Sequence, residues 1–171
     1  HEDGHSQLLA SVVPNLVAYD PAYAYEVATI LRDGLRRMVR DNEDVFYYLT
    51  LYNENYVQPP MPDGVEAGIL AGLYRFRASE LGEHRPRVQL LGSGSLLGEA
   101  LRAQKILAER FGVGADVWSA TSYKELRRDA LECERFNRLH PDAAPRVPYV
   151  TRALAGARGP VVAVTDFLKM V

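Results

Sequence analysis

The chain has 171 residues, enough for one α/β domain or for parts of two. It is 47% hydrophobic and 25% charged with a formal net charge of −2, so it lacks the basic field that nucleic acid would require. No apolar run approaches the roughly 20 residues of a membrane span, and the polar, acidic start His1-Glu2-Asp3-Gly4-His5 is not a signal peptide.

Leu16 to Tyr19 predicts a short strand ending at Asp20-Pro21, with Asp20 as N-cap and Pro21 as the first residue of the next helix. Ala24, Val27, Ala28, Leu31, Leu35 and Met38 recur at helical spacing and predict that helix's buried face. Arg36, Arg37 and Arg40 suit its C-terminal end, where cations favour the macrodipole. After a turn at Asp41 to Asp44, Val45 to Leu51 is a continuous β-rich run, expected of a strand covered on both faces. Together these form a βαβ unit.

Residues 52 to 64 predict a loop with Pro59, Pro60 and Pro62; a loop that long is either a linker or part of a site. Val65 to Gly72 predicts a short helix, and Tyr74 to Ala78 a half-exposed strand. Charged residues from Ser79 to Arg85 mark a block boundary. Arg87 to Leu91 predicts a strand, and Gly92-Ser93-Gly94-Ser95 turns into a helix running to about Phe111. Its apolar face includes Leu97, Leu101, Ala108 and Phe111, and Gly112 and Gly114 supply the stop.

Val117 to Ala120 predicts the next strand. Ser122-Tyr123-Lys124-Glu125 is a capping-box pattern opening a helix to about Leu139. The single cysteine, Cys133, reads as a small apolar residue on that helix; with no partner for a disulfide, it suits a reducing cytoplasm. A short helix near Pro148 to Ala155 and a strand from Val161 to Thr165 follow. The expected architecture is α/β with mainly parallel sheets. Neither block alone has enough elements to cover a complete sheet. The chain starts at a histidine and stops at Met170-Val171 just after a strand-like run, as expected of an internal fragment.

Several segments could carry chemistry. His1-Glu2-x-x-His5 matches a zinc-peptidase pattern, but that chemistry needs a helix, and Asp3-Gly4 is a turn-forming pair. Glu26 lies at a tempting distance as a third ligand without a special setting. The alternatives are a solvated polar loop, or a polar turn whose His and Asp side chains converge on a reacting carbonyl. Gly92-Ser93-Gly94-Ser95 invites a phosphate cradle, yet position 97 is Leu and no Gly-Lys-Ser/Thr follows; a tight strand–helix turn explains it as well. Asn53-Glu54-Asn55-Tyr56 follows the strand at Val45 to Leu51, where α/β sheets bind ligands. These four are pocket or interface groups, or a solvated loop.

His1-Glu2-Asp3-Gly4-His5-Ser6 closely resembles a segment of the homodimeric pyruvate dehydrogenases. Tyr19-Asp20-Pro21-Ala22-Tyr23-Ala24-Tyr25-Glu26, Asn53-Glu54-Asn55-Tyr56, Gln89-Leu90-Leu91-Gly92-Ser93-Gly94-Ser95, Ala115-Asp116-Val117-Trp118-Ser119 and Pro145-Arg146-Val147-Pro148-Tyr149-Val150 resemble further segments in the same order. The resemblance implies the C-terminal part of a thiamine-diphosphate pyrimidine-binding domain over 1–55, an inter-domain linker over 56–85, and the N-terminal part of a transketolase C-terminal-like domain over 86–171. It implies a cytoplasmic homodimer using thiamine diphosphate and Mg2+ to decarboxylate pyruvate. The two-carbon unit then passes reductively to a lipoyl group on the dihydrolipoyl acetyltransferase component. The family's metal and diphosphate motif lies outside this sequence, so this segment is not expected to bind the cofactor alone. By match to the motif, His5 is the first-choice catalytic imidazole, with His1 and Asp3 beside it; Gln7 stands where some relatives carry a third imidazole. The rival readings are a zinc-dependent hydrolase using His1, Glu2 and His5, and a non-catalytic structural fragment.

Overall fold

A computed structural model describes residues 4–169. A short helix α1 (Ser6–Ser11) leads into strand β1 (Leu16–Tyr19), whose four residues are all buried. Helix α2 (Ala24–Leu35) follows and widens into π-helical residues at Arg36–Arg40. Strand β2 (Phe46–Leu49) returns parallel to β1, pairing Leu16 with Phe46 and Tyr19 with Leu49. The βαβ unit is therefore present. A loop and helix α3 (Glu66–Ala71) connect it to a second sheet.

The second sheet holds β3 (Tyr74–Arg77), β4 (Arg87–Gly92), β5 (Gly114–Ser119) and β6 (Val161–Val164), in the order β3-β5-β4-β6. The pairs β4–β5 and β4–β6 are parallel, and only β3 runs antiparallel. Helix α4 (Leu97–Ile106) crosses from β4 to β5. Helices α5 (Tyr123–Leu139) and α6 (Tyr149–Leu154) cross from β5 to β6. Alternating side chains explain the layers. Val88, Leu90, Ala115 and Val117 pack with Leu97 and Ala100 of α4. On the other face, Leu91 and Trp118 pack with Leu126 of α5 and with α6. Cys133 is buried on α5.

The residues between the two sheets do more than link them. β3 joins the second sheet directly, and Gly72 ends α3 at φ 102 where an added Cβ would meet the Ser122 carbonyl oxygen at 2.6 Å. The β5–α5 turn runs along β1: Asp20 N–H donates to the Thr121 carbonyl at 2.7 Å, and Ser122 Oγ donates to the Ala18 carbonyl at 2.6 Å. Lys124 Nζ donates to the Leu16 carbonyl. The edge of β1 away from β2 is thereby satisfied without another strand.

Four expectations need correction. Asp20 does not cap α2, because its carboxylate accepts from Thr50 Oγ1 at 2.6 Å; the N-cap is Tyr23. Glu26 instead accepts from the Ala22 and Tyr23 N–H groups at 2.5 and 3.0 Å. The buried face of α2 is Glu26, Thr29, Ile30 and Gly34, while Ala24, Ala28, Leu31 and Leu35 are exposed and Val27 and Met38 half-buried. The rotation follows from Glu26, which reaches Tyr74 and Ser119 across the interface, and from Gly34, which admits the Tyr47 ring. Strand β2 is shorter than Val45 to Leu51 and is not covered on both faces: its sheet has two strands, leaving Phe46 and Tyr48 exposed. Phe111 is exposed as well, because α4 widens into π-helical residues at Leu107–Phe111 and swings off its apolar register.

Candidate functional site

His1 and Asp3 lie outside the described residues. His5 is exposed and sits at the N-cap of α1, where its carbonyl accepts from Leu9 N–H at 2.9 Å. The neighbouring Gly4 carbonyl accepts from Leu168 N–H at 3.2 Å. This contact ties the His5 segment to the chain just beyond the carboxyl end of β6. Since α1 begins at Ser6, Gly4 and His5 stand outside the helix that a zinc-peptidase pattern needs. Among the described residues there is no group of three or more His, Cys, Asp or Glu able to hold a metal ion.

Asn53, Glu54 and Asn55 are exposed in the irregular loop after β2, and Tyr56 is half-buried. The loop is docked rather than free. Thr50 N–H donates to the Tyr19 carbonyl at 3.1 Å, Tyr56 Oη donates to the Ala22 carbonyl, and Gln58 Oε1 accepts from Ala24 N–H at 2.9 Å. Glu54 and Tyr56 line a cleft of about 250 Å³ with Tyr23, Gly94, Leu97 and Arg102. Glu54 and Tyr56 thus face the start of α4, Asn53 and Asn55 do not line that cleft, and neither does His5.

The turn after β4 behaves as a tight strand–helix turn. A Cβ on Gly92 would meet Leu97 Cα at 2.8 Å, and Gly94 has φ 51 with the Tyr52 ring pressed against it. The Gly94 N–H donates to the Asp20 carbonyl at 3.1 Å, so it is not available to a phosphate. That turn therefore offers no free Gly94 amide to a diphosphate.

Two buried carboxylates escaped the sequence reading as functional groups. Asp20 stands at the carboxyl end of β1; burial pushes its carboxyl above the usual range, and hydroxyls of Thr50, Ser93 and Tyr52 pull it back. Glu26 is fully buried, accepting from Tyr74 Oη at 2.6 Å and Ser119 Oγ at 2.7 Å besides its two backbone donors. Burial raises it too, against those four hydrogen bonds. The Asp20 signal was present in sequence as an acid directly following a strand, but the adjoining proline favoured a cap assignment.

Two family models match the chain. One, described as the pyruvate dehydrogenase E1 component middle domain, matches residues 1–59; the other, a transketolase-like TK C-terminal domain, matches residues 72–171. The chain belongs to the pyruvate dehydrogenase E1 family. It is 55% identical to the pyruvate dehydrogenase E1 component of Pseudomonas aeruginosa, over 99% of this chain and 19% of that protein. It is 51% identical to the one from Escherichia coli K12, over 99% and 19%, and 51% identical to the one from Mycobacterium tuberculosis, over 100% and 18%. The chain therefore spans about a fifth of these relatives' length. In fold it is similar to a Pichia stipitis transketolase solved with sedoheptulose-7-phosphate, at TM-score 0.55 and 16% identity over 95% of this chain and 22% of that one. The mixed α/β architecture with mainly parallel sheets is thus that of an E1 middle domain joined to a transketolase-like C-terminal domain.

Proposed function

We propose that this chain is the segment of a pyruvate dehydrogenase E1 component that supplies one wall of a thiamine-diphosphate site. The whole protein decarboxylates pyruvate oxidatively and transfers the acetyl group reductively to the lipoyl domain of a dihydrolipoyl acetyltransferase. It works as a homodimer with Mg2+ in the cytoplasm. When bound, thiamine diphosphate supplies an electron sink for the carbanion left by decarboxylation; its metal and diphosphate anchors belong to other segments. The working division is 1–55 as pyrimidine-binding part, 56–85 as linker and 86–171 as C-terminal-like part. Residues matched to the E1 middle domain reach Gln58 and Pro59, and β3 within 56–85 pairs with β5, so this linker is structured.

One observation carries the site reading: His5 is exposed, at the mouth of a turn fixed by α1 and by the segment after β6. An imidazole there can accept or donate a hydrogen bond to a reacting group, with His1 and Asp3 as sequence neighbours. Asn53, Glu54, Asn55 and Tyr56 are proposed as pocket or interface groups, supported by the docking of their loop on the β1–α2 corner. His5→Ala in the full-length enzyme is expected to lower pyruvate turnover by about 10- to 1,000-fold, the range of general-acid contributions. Steady-state turnover equal to wild type would remove His5 from the mechanism. No helix among the described residues is long and apolar enough to cross a membrane.

A further inference from the structure

Glu26 is fully buried on the first turn of α2, and its two oxygens face different parts of the molecule. Oε2 accepts from the Ala22 and Tyr23 N–H groups at 2.5 and 3.0 Å, which fixes the β1–α2 corner. Oε1 accepts from Tyr74 Oη of β3 at 2.6 Å and from Ser119 Oγ of β5 at 2.7 Å, both in the second sheet. Tyr74 gives its one hydroxyl proton to Glu26, so Tyr25 Oη, 2.5 Å from Tyr74 Oη, donates to Tyr74 in turn. The outer side of the same corner carries the loop after β2. The Ala22 carbonyl accepts from Tyr56 Oη, and Ala24 N–H donates to Gln58 Oε1 at 2.9 Å. The Tyr23 ring meets the Tyr56 ring edge-on, with centroids 6.0 Å apart.

We propose that Glu26 is a positioning residue that sets the Tyr56–Gln58 end of the loop relative to the second sheet. Residues 22–24 lie between the Glu26 carboxylate and the loop, and Ala22 is bonded on both sides: its N–H to Glu26 and its carbonyl to Tyr56. Capping α2 would need only the two bonds to Oε2. The two bonds to Oε1 add nothing to that cap; they tie the corner to β3 and β5. A shift of the second sheet therefore reaches Tyr56 through Glu26 and the Ala22 peptide. Glu26 acts through this corner and not on a reacting atom. The loop's importance to turnover rests on the proposed function; the coupling itself does not.

The test is chymotryptic cleavage after Tyr56 in the 171-residue chain, whose rate follows the population of undocked loop. Glu26→Ala is expected to raise that rate about 10- to 100-fold, the worth of a hydrogen bond to a charged group, with cleavage after Phe136 on α5 unchanged. Glu26→Gln is expected to recover most of the docking. Its amide oxygen can accept from the two backbone N–H groups while its NH2 donates to the hydroxyls. Unchanged cleavage after Tyr56 in Glu26→Ala, or Glu26→Gln cleaved as fast as Glu26→Ala, would overturn the proposal. If Glu26→Ala speeds both sites alike, it has lost the fold and Ser119→Ala decides. Cleavage about 10-fold faster after Tyr56 alone then supports the coupling, and an unchanged or uniformly raised rate overturns it. Pyruvate turnover of Glu26→Ala in the full-length enzyme separates the two readings. A loosened loop with unchanged turnover would sink the loop's place in the site and leave Glu26's role standing.

Discussion

The two sheets of this chain are built from the same kind of residue run yet are buried very differently. Strand β4 is covered on both faces by α4 and by α5 with α6. Strand β2, with a sequence just as apolar, shows alternate exposure, and the outer stripe at Leu31 and Leu35 of α2 and Val39 of the π-helical residues after it is open. The lesson is that an apolar run reports the need for cover and not which element provides it. In the second sheet the cover is supplied within this chain; in the first, α2 and α3 pack on one face and α1 packs on β1, while Phe46 and Tyr48 of β2 stay exposed.

Truncating one side chain from each layer breaks the comparison most sharply. Leu97 is fully buried between α4 and the second sheet, so Leu97→Ala is expected to destabilise the chain by about 2–5 kcal/mol, transfer loss plus cavity. Leu35 is 60% exposed, so Leu35→Ala is expected to stay within about 0.5 kcal/mol of wild type. Urea unfolding of both variants checks the contrast. Similar losses would mean that the outer stripe of α2 is covered in solution.

A smaller effect is expected at the junction of the two sheets. Gly94 combines φ 51 with close contact to the Tyr52 ring, so Gly94→Ala forces a side chain into a left-handed position and pushes against the loop. A cost of about 1–3 kcal/mol is expected for this strain, with crystallographic displacement of Tyr52 as its signature. A variant as stable as wild type with Tyr52 in place would show that the loop is not docked on the turn.

The same contrast explains what could be read from sequence. Local patterns were legible: the parallel βαβ unit, the half-exposed strand at Tyr74–Arg77, and Ser122 Oγ accepting from Glu125 N–H at the start of α5. His5 and the Asn53–Tyr56 loop were legible as motifs, though the structure leaves them in separate places. The rotation of α2 was not legible, because periodicity locates an apolar stripe and says nothing of a rival polar anchor. That anchor, Glu26, finds its donors at Tyr74, 48 residues away, and at Ser119, 93 residues away. Asp20 was misassigned for a related reason: a cap is a local bond, and the donor to its carboxylate, Thr50, is 30 residues away.

The smallest expected effect is a slope. Burial holds the Glu26 carboxyl above its usual 4.5 and the Asp20 carboxyl above its usual 3.8, so over that window the folded chain binds more protons than the unfolded one. Stability from such a group is complete below the unfolded value and lost as pH rises through the folded value. Glu26→Gln removes one of the two titrations while keeping the shape of the side chain. Its thermal unfolding midpoint is expected to fall less than that of wild type between about pH 4.5 and neutrality. Both midpoints can be followed by circular dichroism across that range. Parallel curves would mean that the four donors to Glu26 outweigh its burial and keep it ionised throughout, which would make the seam between the sheets a fixed ionic joint instead of a proton-sensitive one.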